Sequence, residues 1–291
     1  MRCPGWTLHE MLISLAVLGV VVALAASVGV TELRFFRGVG EVVELRTQVG
    51  QASAIAASFM TSLSPSAGDI LVAQDSAIEM QISVGAAVTC ASAPGFITVP
   101  AAAALTGNTL SAFTDPPVAG DRIAALLADS LGATWLTFHA ASSPNTGGRC
   151  ALFGGPGLSL AVQEQVAVPL GTVLQLFRPL RLSLYRASDN RWYLGAKDWN
   201  AATQRFNTIQ PVAGPLEPYS SNPGKTGLLF AYRDQAGDEL AAPVETNRIA
   251  SVTIIARGET RRLVRASGFS PGADGSYMDS TTAVVAFRNR H

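Results

Sequence analysis

Four short patterns in the chain have the residue types of reaction chemistry. Gly268-Phe-Ser270-Pro-Gly272 has the G-x-S-x-G spacing of a nucleophile elbow, where a serine sits on a tight strand-to-helix turn. Pro271, Gly272 and Gly275 oppose that helix, and His291 is the only later histidine, so the segment reads as a turn. Gly224-Lys225-Thr226 ends like a phosphate loop, but Tyr219 stands where the first glycine belongs and Pro223 precedes Gly224. It too reads as a turn. His9, His139 and His291 are the three histidines, and none pairs at metal-ligand spacing. His139 follows a strand-like run and is expected to be a partly buried structural histidine. Three cysteines are too few for a four-cysteine zinc site. The sequence therefore predicts no enzyme, no metal site and no cofactor.

The fourth pattern is a single carboxylate, Glu10, set directly before 21 uncharged residues, Met11 to Thr31. About 20 apolar residues in a helix span the hydrocarbon core of a bilayer. A carboxylate at the edge of such a span is expensive, which makes it a functional candidate. A secretory signal peptide would be shorter, more basic at its start, and cut after small residues such as Ala26 or Ser27. One arginine, Arg2, and the length of the run favour a retained anchor.

The residues around Glu10 carry a resemblance. Gly5-Trp6-Thr7-Leu8-His9-Glu10, followed at once by Met11-Leu12-Ile13, resembles the prepilin N-terminus of type IV pilins and type II secretion pseudopilins. The resemblance implies cleavage after Gly5 by a prepilin peptidase on the cytoplasmic side and methylation of the new amine on Trp6. It also makes Glu10 the assembly residue. Two positions depart from the family pattern: Trp6 replaces the usual Phe, and His9 replaces an aliphatic residue. The chemistry of Glu10 follows from electrostatics. An incoming subunit brings the Trp6 amine into an apolar helix bundle beside a neighbour's Glu10. Pairing neutralises both charges, whereas leaving one unpaired costs several kcal/mol.

The family implies a single-pass inner-membrane protein with its head in the periplasm. Its implied partners are the peptidase, other minor pilins or pseudopilins, the major pilin and the assembly platform. Counting Lys and Arg alone gives a mild bias the other way, because Arg34, Arg37 and Arg46 follow the span and only Arg2 precedes it. Cys3 would leave with the leader. Cys90 and Cys150 are then expected to form a disulfide in the oxidising periplasm, the alternative being two buried thiols.

These residues need a long helix to hold them. No proline occurs from Glu32 to Leu63. Apolar residues recur at three-to-four spacing: Leu33, Phe36, Val39, Val43, Leu45, Val49, Ala52, Ala56, Phe59 and Leu63. Pro65 and Gly68 end the run, and Gly38, Gly40 and Gly50 weaken it locally. One helix of about 55 residues, about 80 Å long, is predicted. The expected divisions are a leader at 1–5, a transmembrane segment at 6–31, an amphipathic half at 32–64 and a β-rich head at 65–291.

Within the head, Ile78–Val84 alternates apolar and polar residues. Further strands are predicted at Phe96–Val99, Thr134–Phe138, Leu158–Val168, Val173–Tyr185, Arg191–Gly195, Gly227–Tyr232, Ala250–Ala256 and Thr282–Phe287. Leu182–Arg186 and Arg191–Leu194 read as a hairpin. Pro100–Ala104 and Asp121–Leu131 read as short helix, and Pro211–Gly224 as a proline-rich loop. The fold class is α+β: a long N-terminal helix, transmembrane then amphipathic, packed on an antiparallel β-sheet head. The order of the C-terminal strands is similar to the large minor pilins and pseudopilins of the PilW and GspJ type.

Composition agrees with a membrane-anchored globular protein. Of 291 residues, 48% are hydrophobic and 14% charged, which excludes a solvated disordered chain. Lys and Arg number 21, as do Asp and Glu, which excludes a histone-like polycation. Arg257, Arg261, Arg262 and Arg265, with Arg288 and Arg290, make the C-terminal region locally basic. Surface arginines are the ordinary explanation, and phosphate contact in a DNA-capturing minor pilin is the sharper one. A signal-anchored surface enzyme is the remaining rival. The leading expectation is a minor pilin or pseudopilin that initiates or caps a filament.

Overall fold

The computed structural model describes residues 8–101, 110–129, 132–150, 154–165, 167–241, 243–261, 264 and 275–287. One helix, α1 (Leu8–Met60, 53 residues), precedes everything else. It passes unbroken through Gly40 and Gly50, which face open space. Its N-terminal half is bare. The buried face starts at Gly38 and continues through Val42, Leu45, Val49, Ala52, Ser53, Ala56 and Met60. From Leu45 to Ala56 this matches the expected stripe. Before that it does not: Leu33, Phe36 and Val43 are 57–64% exposed, and Val42 is the residue that docks. The helix is apolar on several sides here, so periodicity alone could not identify the side that meets the head.

A tight exit follows the helix. Pro65–Ala67 forms one 3-10 turn, and Gly68 adopts φ +76°, a left-handed conformation that favours glycine. Ser64 and Asp69 then bind each other: the Ser64 N–H donates to Asp69 Oδ2 at 2.8 Å, and the Asp69 N–H donates to the Ser64 carbonyl at 3.3 Å.

The head holds sixteen strands among the described residues. In chain order they are β1 (Ile70–Ala73), β2 (Ala77–Val88), β3 (Ala91–Ala93), β4 (Phe96–Pro100), β5 (Ser111–Phe113), β6 (Arg122–Asp129), β7 (Gly132–His139) and β8 (Asn145–Arg149). There follow β9 (Pro156–Ala161), β10 (Val173–Arg186), β11 (Trp192–Asn200), β12 (Arg205–Phe206), β13 (Gln210–Leu216), β14 (Leu228–Arg233), β15 (Ser251–Glu259) and β16 (Met278–Ala286). The ladders are antiparallel. A nine-stranded sheet is built on β1-β2-β10-β11-β12, with β5, β6, β7 and β13 as side members. β14-β15-β16 and β3-β4-β9-β8 form separate sheets. The fold is thus α+β.

Two expectations are overturned. Asp121–Leu131 is not helical: Arg122–Asp129 is strand β6, laddered between β10 and β7. Ala and Leu favour a helix in isolation, but Ile123, Ala124 and Ala125 are buried in the sheet, and tertiary packing overrides propensity. Pro100 belongs to β4, while residues 102–104 of the other proposed helix lie outside the described residues. The first half of the proline-rich loop is also a strand, β13, paired with β11. It pairs with no second strand among the described residues, and that open side tolerates Pro211 and Pro215. The predicted strand at Leu158–Val168 is shorter than expected and ends at Ala161.

Among the described residues two large apolar cores result, with a small third cluster of Val42, Val264 and Tyr277. One joins α1 to β1, the near halves of β2 and β10, and β13 to β16. The other takes the far ends of β2 and β10 with β4, β6, β7 and β9, and contains no residue of α1. The helix lies closely on the C-terminal sheet. A Cβ at Gly258 would come 2.7 Å from Leu45 Cδ1 and 3.0 Å from Val49 Cγ2, so a side chain at this strand position would push those two helix residues aside.

Candidate functional site

Glu10 lies in the first turn of α1, exposed, and its carbonyl accepts the Ser14 hydroxyl at 2.7 Å. Gly5 and Trp6 lie outside the described residues. Along the following turns every large apolar side chain from Leu8 to Val30 is exposed, none of them below 46%. The segment is long and apolar enough to cross a membrane, and none of it is buried within the chain. An apolar surface on all sides of a helix requires an apolar surround.

Beyond the span, Arg34 and Arg37 are exposed, and the Phe35 and Phe36 rings meet edge to face at 5.9 Å. Two ion pairs then fasten the helix to the head. Arg46 Nε donates to Asp279 Oδ2 at 2.8 Å and its Nη2 donates to the Tyr277 hydroxyl at 3.1 Å. Hydrogen bonds to Asp279 and then Tyr277 raise the Arg46 pKa above the usual guanidinium value. Arg261 faces Glu44 at 3.5 Å.

Of the basic C-terminal residues, Arg257 is half-buried and donates to the Thr226 carbonyl at 3.0 Å. Arg261 takes the Glu44 pair, and Arg262, Arg265, Arg288 and Arg290 lie outside the described residues. The G-x-S-x-G segment lies there too. Gly224-Lys225-Thr226 is a turn closed on Asn222, whose carbonyl accepts the Lys225 N–H at 2.9 Å and the Thr226 N–H at 3.2 Å.

Cys90 and Cys150 are joined by a disulfide, with Cα atoms 4.9 Å apart. Both are buried, at the margin of the second core. His139 is exposed rather than partly buried as expected. Its Nδ1 lies 3.0 Å from Glu164 Oε1, and its backbone N–H donates to Glu164 Oε2 at 2.9 Å. It stays at the surface because β7 alternates and Phe138 is the residue that turns inward.

Two arginine–aspartate pairs went unnoticed in the sequence. Arg122 binds Asp69, and Arg178 Nε and Nη2 donate to Asp121 Oδ1 and Oδ2, each at 2.9 Å. Both aspartates are fully buried. The Asp121 hydrogen bonds outweigh burial and hold the Arg178 pKa above its usual value. Arg122 and Arg178 lie in strands, Asp69 and Asp121 just before β1 and β6, and nothing in their spacing matches the partners.

Set against protein-family models, curated proteins and solved structures, the chain matches none.

Proposed function

We propose that the chain is a membrane-anchored minor pilin or pseudopilin, a structural subunit that initiates or caps a type IV pilus or a secretion pseudopilus. One observation carries the reading: a single helix is bare and apolar over a membrane's width and then docks its second half on an antiparallel β head. The Gly5-to-Glu10 motif at its start supplies the family-specific part.

In this reading the head lies in the periplasm, and a prepilin peptidase cuts after Gly5. The Trp6 amine of an arriving subunit pairs with a neighbour's Glu10 in the helix bundle. That pairing sets the axial register, because the unpaired state leaves a charge in low dielectric. A head of this size crowds every neighbour in a helical shaft but only once at a tip, which favours a low-copy tip or priming subunit. DNA capture has less support, since Arg257 and Arg261 are engaged within the chain.

N-terminal analysis of the native protein tests the reading. A mature chain starting at N-methylated Trp6 is expected, whereas a start near Ala26 would make the span a cleaved signal peptide.

A further inference from the structure

Between the bare span and the docked half of α1 lies a short band that the head does not cover. Met11 to Thr31 rises about 30 Å, the thickness of a hydrocarbon core. Burial against the head begins only at Gly38. In between stand Glu32, Leu33, Arg34, Phe35, Phe36 and Arg37, all exposed. Nothing in the assembly reading uses them.

Their position falls at the depth of lipid headgroups. At 1.5 Å per residue, the Arg34 and Arg37 Cα atoms lie about 4.5 and about 9 Å beyond Thr31. The headgroup layer adds about 5–7 Å outside each face of the hydrocarbon core. Helical side chains lean toward the helix N-terminus, which here is toward the bilayer. Long basic side chains beside a span reach the interface in this way.

The charges point to an anion. Arg34 and Arg37 are three residues apart and share one face of the helix. Glu32 lies about 140–160° round the helix from them. Glu41 is half-buried and one turn further from the bilayer than Arg37. The next carboxylates are taken: Glu44 by Arg261 and Asp279 by Arg46. Arg34 and Arg37 form no ion pair among the described residues. Phe35 and Phe36, 44% and 64% exposed, add apolar rings that suit the edge of the hydrocarbon layer.

We propose that Arg34 and Arg37 bind the phosphates of anionic phospholipids in the leaflet beneath the head. Each guanidinium presents a planar fork of N–H donors that matches a phosphate. This role rests on the membrane-anchored part of the proposed function and is independent of filament assembly. It gives a use to two arginines that run against the usual cytoplasmic bias of basic residues.

The test begins with the full chain reconstituted in vesicles of phosphatidylcholine, where carbonate-resistant association is expected. A chain that fails to insert would overturn the anchored reading and this role together. The same chain in detergent is then titrated with palmitoyl-oleoyl phosphatidylglycerol and, separately, with the matching phosphatidylcholine. Bound lipid is counted by native mass spectrometry. Phosphatidylglycerol should bind about tenfold more tightly. Arg34→Gln combined with Arg37→Gln should cut that preference to about twofold while insertion persists, since neither side chain holds the fold. Arg186→Gln with Arg191→Gln, at exposed positions of the β10–β11 hairpin, should leave the preference intact. A chain that inserts but prefers phosphatidylglycerol by less than about threefold would overturn the proposal alone. So would a loss below about threefold in the Arg34→Gln and Arg37→Gln variant, or an equal loss in the hairpin variant.

Discussion

Arg122, at the start of β6, reaches back 53 residues to bind the buried carboxylate of Asp69 at the exit of α1. The same guanidinium donates to the Ala67 carbonyl at 3.0 Å and lies 4.8 Å from the centre of the Phe177 ring. Asp69 in turn holds the Ser64 N–H. The place where the helix hands over to the first strand is therefore locked by a residue of another hairpin.

Arg122→Ala should destabilise the head by about 3 kcal/mol, because it leaves Asp69 buried without its cation. Urea denaturation followed by head tryptophan fluorescence would measure this. A change below about 1 kcal/mol would show that the pair is structurally dispensable.

The Cys90–Cys150 disulfide spans 60 residues and lies beside a core that contains no helix residue. A loop of this length is worth about 4 kcal/mol in the chain-entropy model. Cys90→Ala with Cys150→Ala should raise hydrogen exchange in β4 and β9 and leave α1 residues 45–60 protected. Thiol labelling of the denatured, unreduced protein should find neither cysteine reactive.

The His139–Glu164 contact ties β7 to the segment after β9. Burial pushes the Glu164 pKa up, but the His139 N–H and ring outweigh it, and the net shift is downward. A carboxylate lowered on folding contributes stability above its unfolded pKa and loses it as the pH falls through the folded one. Glu164→Gln should therefore lower the melting temperature slightly at neutral pH, with the difference from the parent fading as the pH falls below about 4.5. The effect is small because both side chains are more than a third exposed.

On the proposed assembly role, Glu10→Val should preserve membrane insertion, since it removes a charge from an apolar segment, and should impair incorporation into filaments. Membrane fractionation and immunoblots of sheared filaments would separate the two effects. Normal incorporation of this variant would refute the charge-pair role of Glu10.

The helix was legible because its signals are one-dimensional: 21 uncharged residues, no proline to Leu63, then Pro65. Strands that alternate, such as Ile78–Val84, were legible for the same reason. Arg122–Asp129 was not, because Ala and Leu suit a helix and only the flanking ladders of β7 and β10 make it a strand. The docked side of α1 differs from the apolar stripe at Leu33 and Phe36, which precede the first buried residue, Gly38, and at Val43, which faces away while its neighbours Val42 and Leu45 dock. The arginine–aspartate pairs were hidden for another reason: no local pattern links Arg178 to Asp121 or Arg122 to Asp69.

Between Thr31 and Val42 the backbone stays helical, with no hinge between anchor and head. With the apolar half in a membrane, as proposed, the head is the end of a lever whose fulcrum lies in the bilayer. From Thr31 to Met60 the arm is about 44 Å at 1.5 Å per residue. A tilt of about 20° at the membrane would sweep its far end sideways by about 15 Å. Any contact that fixes the angle of the buried segment also aims the distal surface.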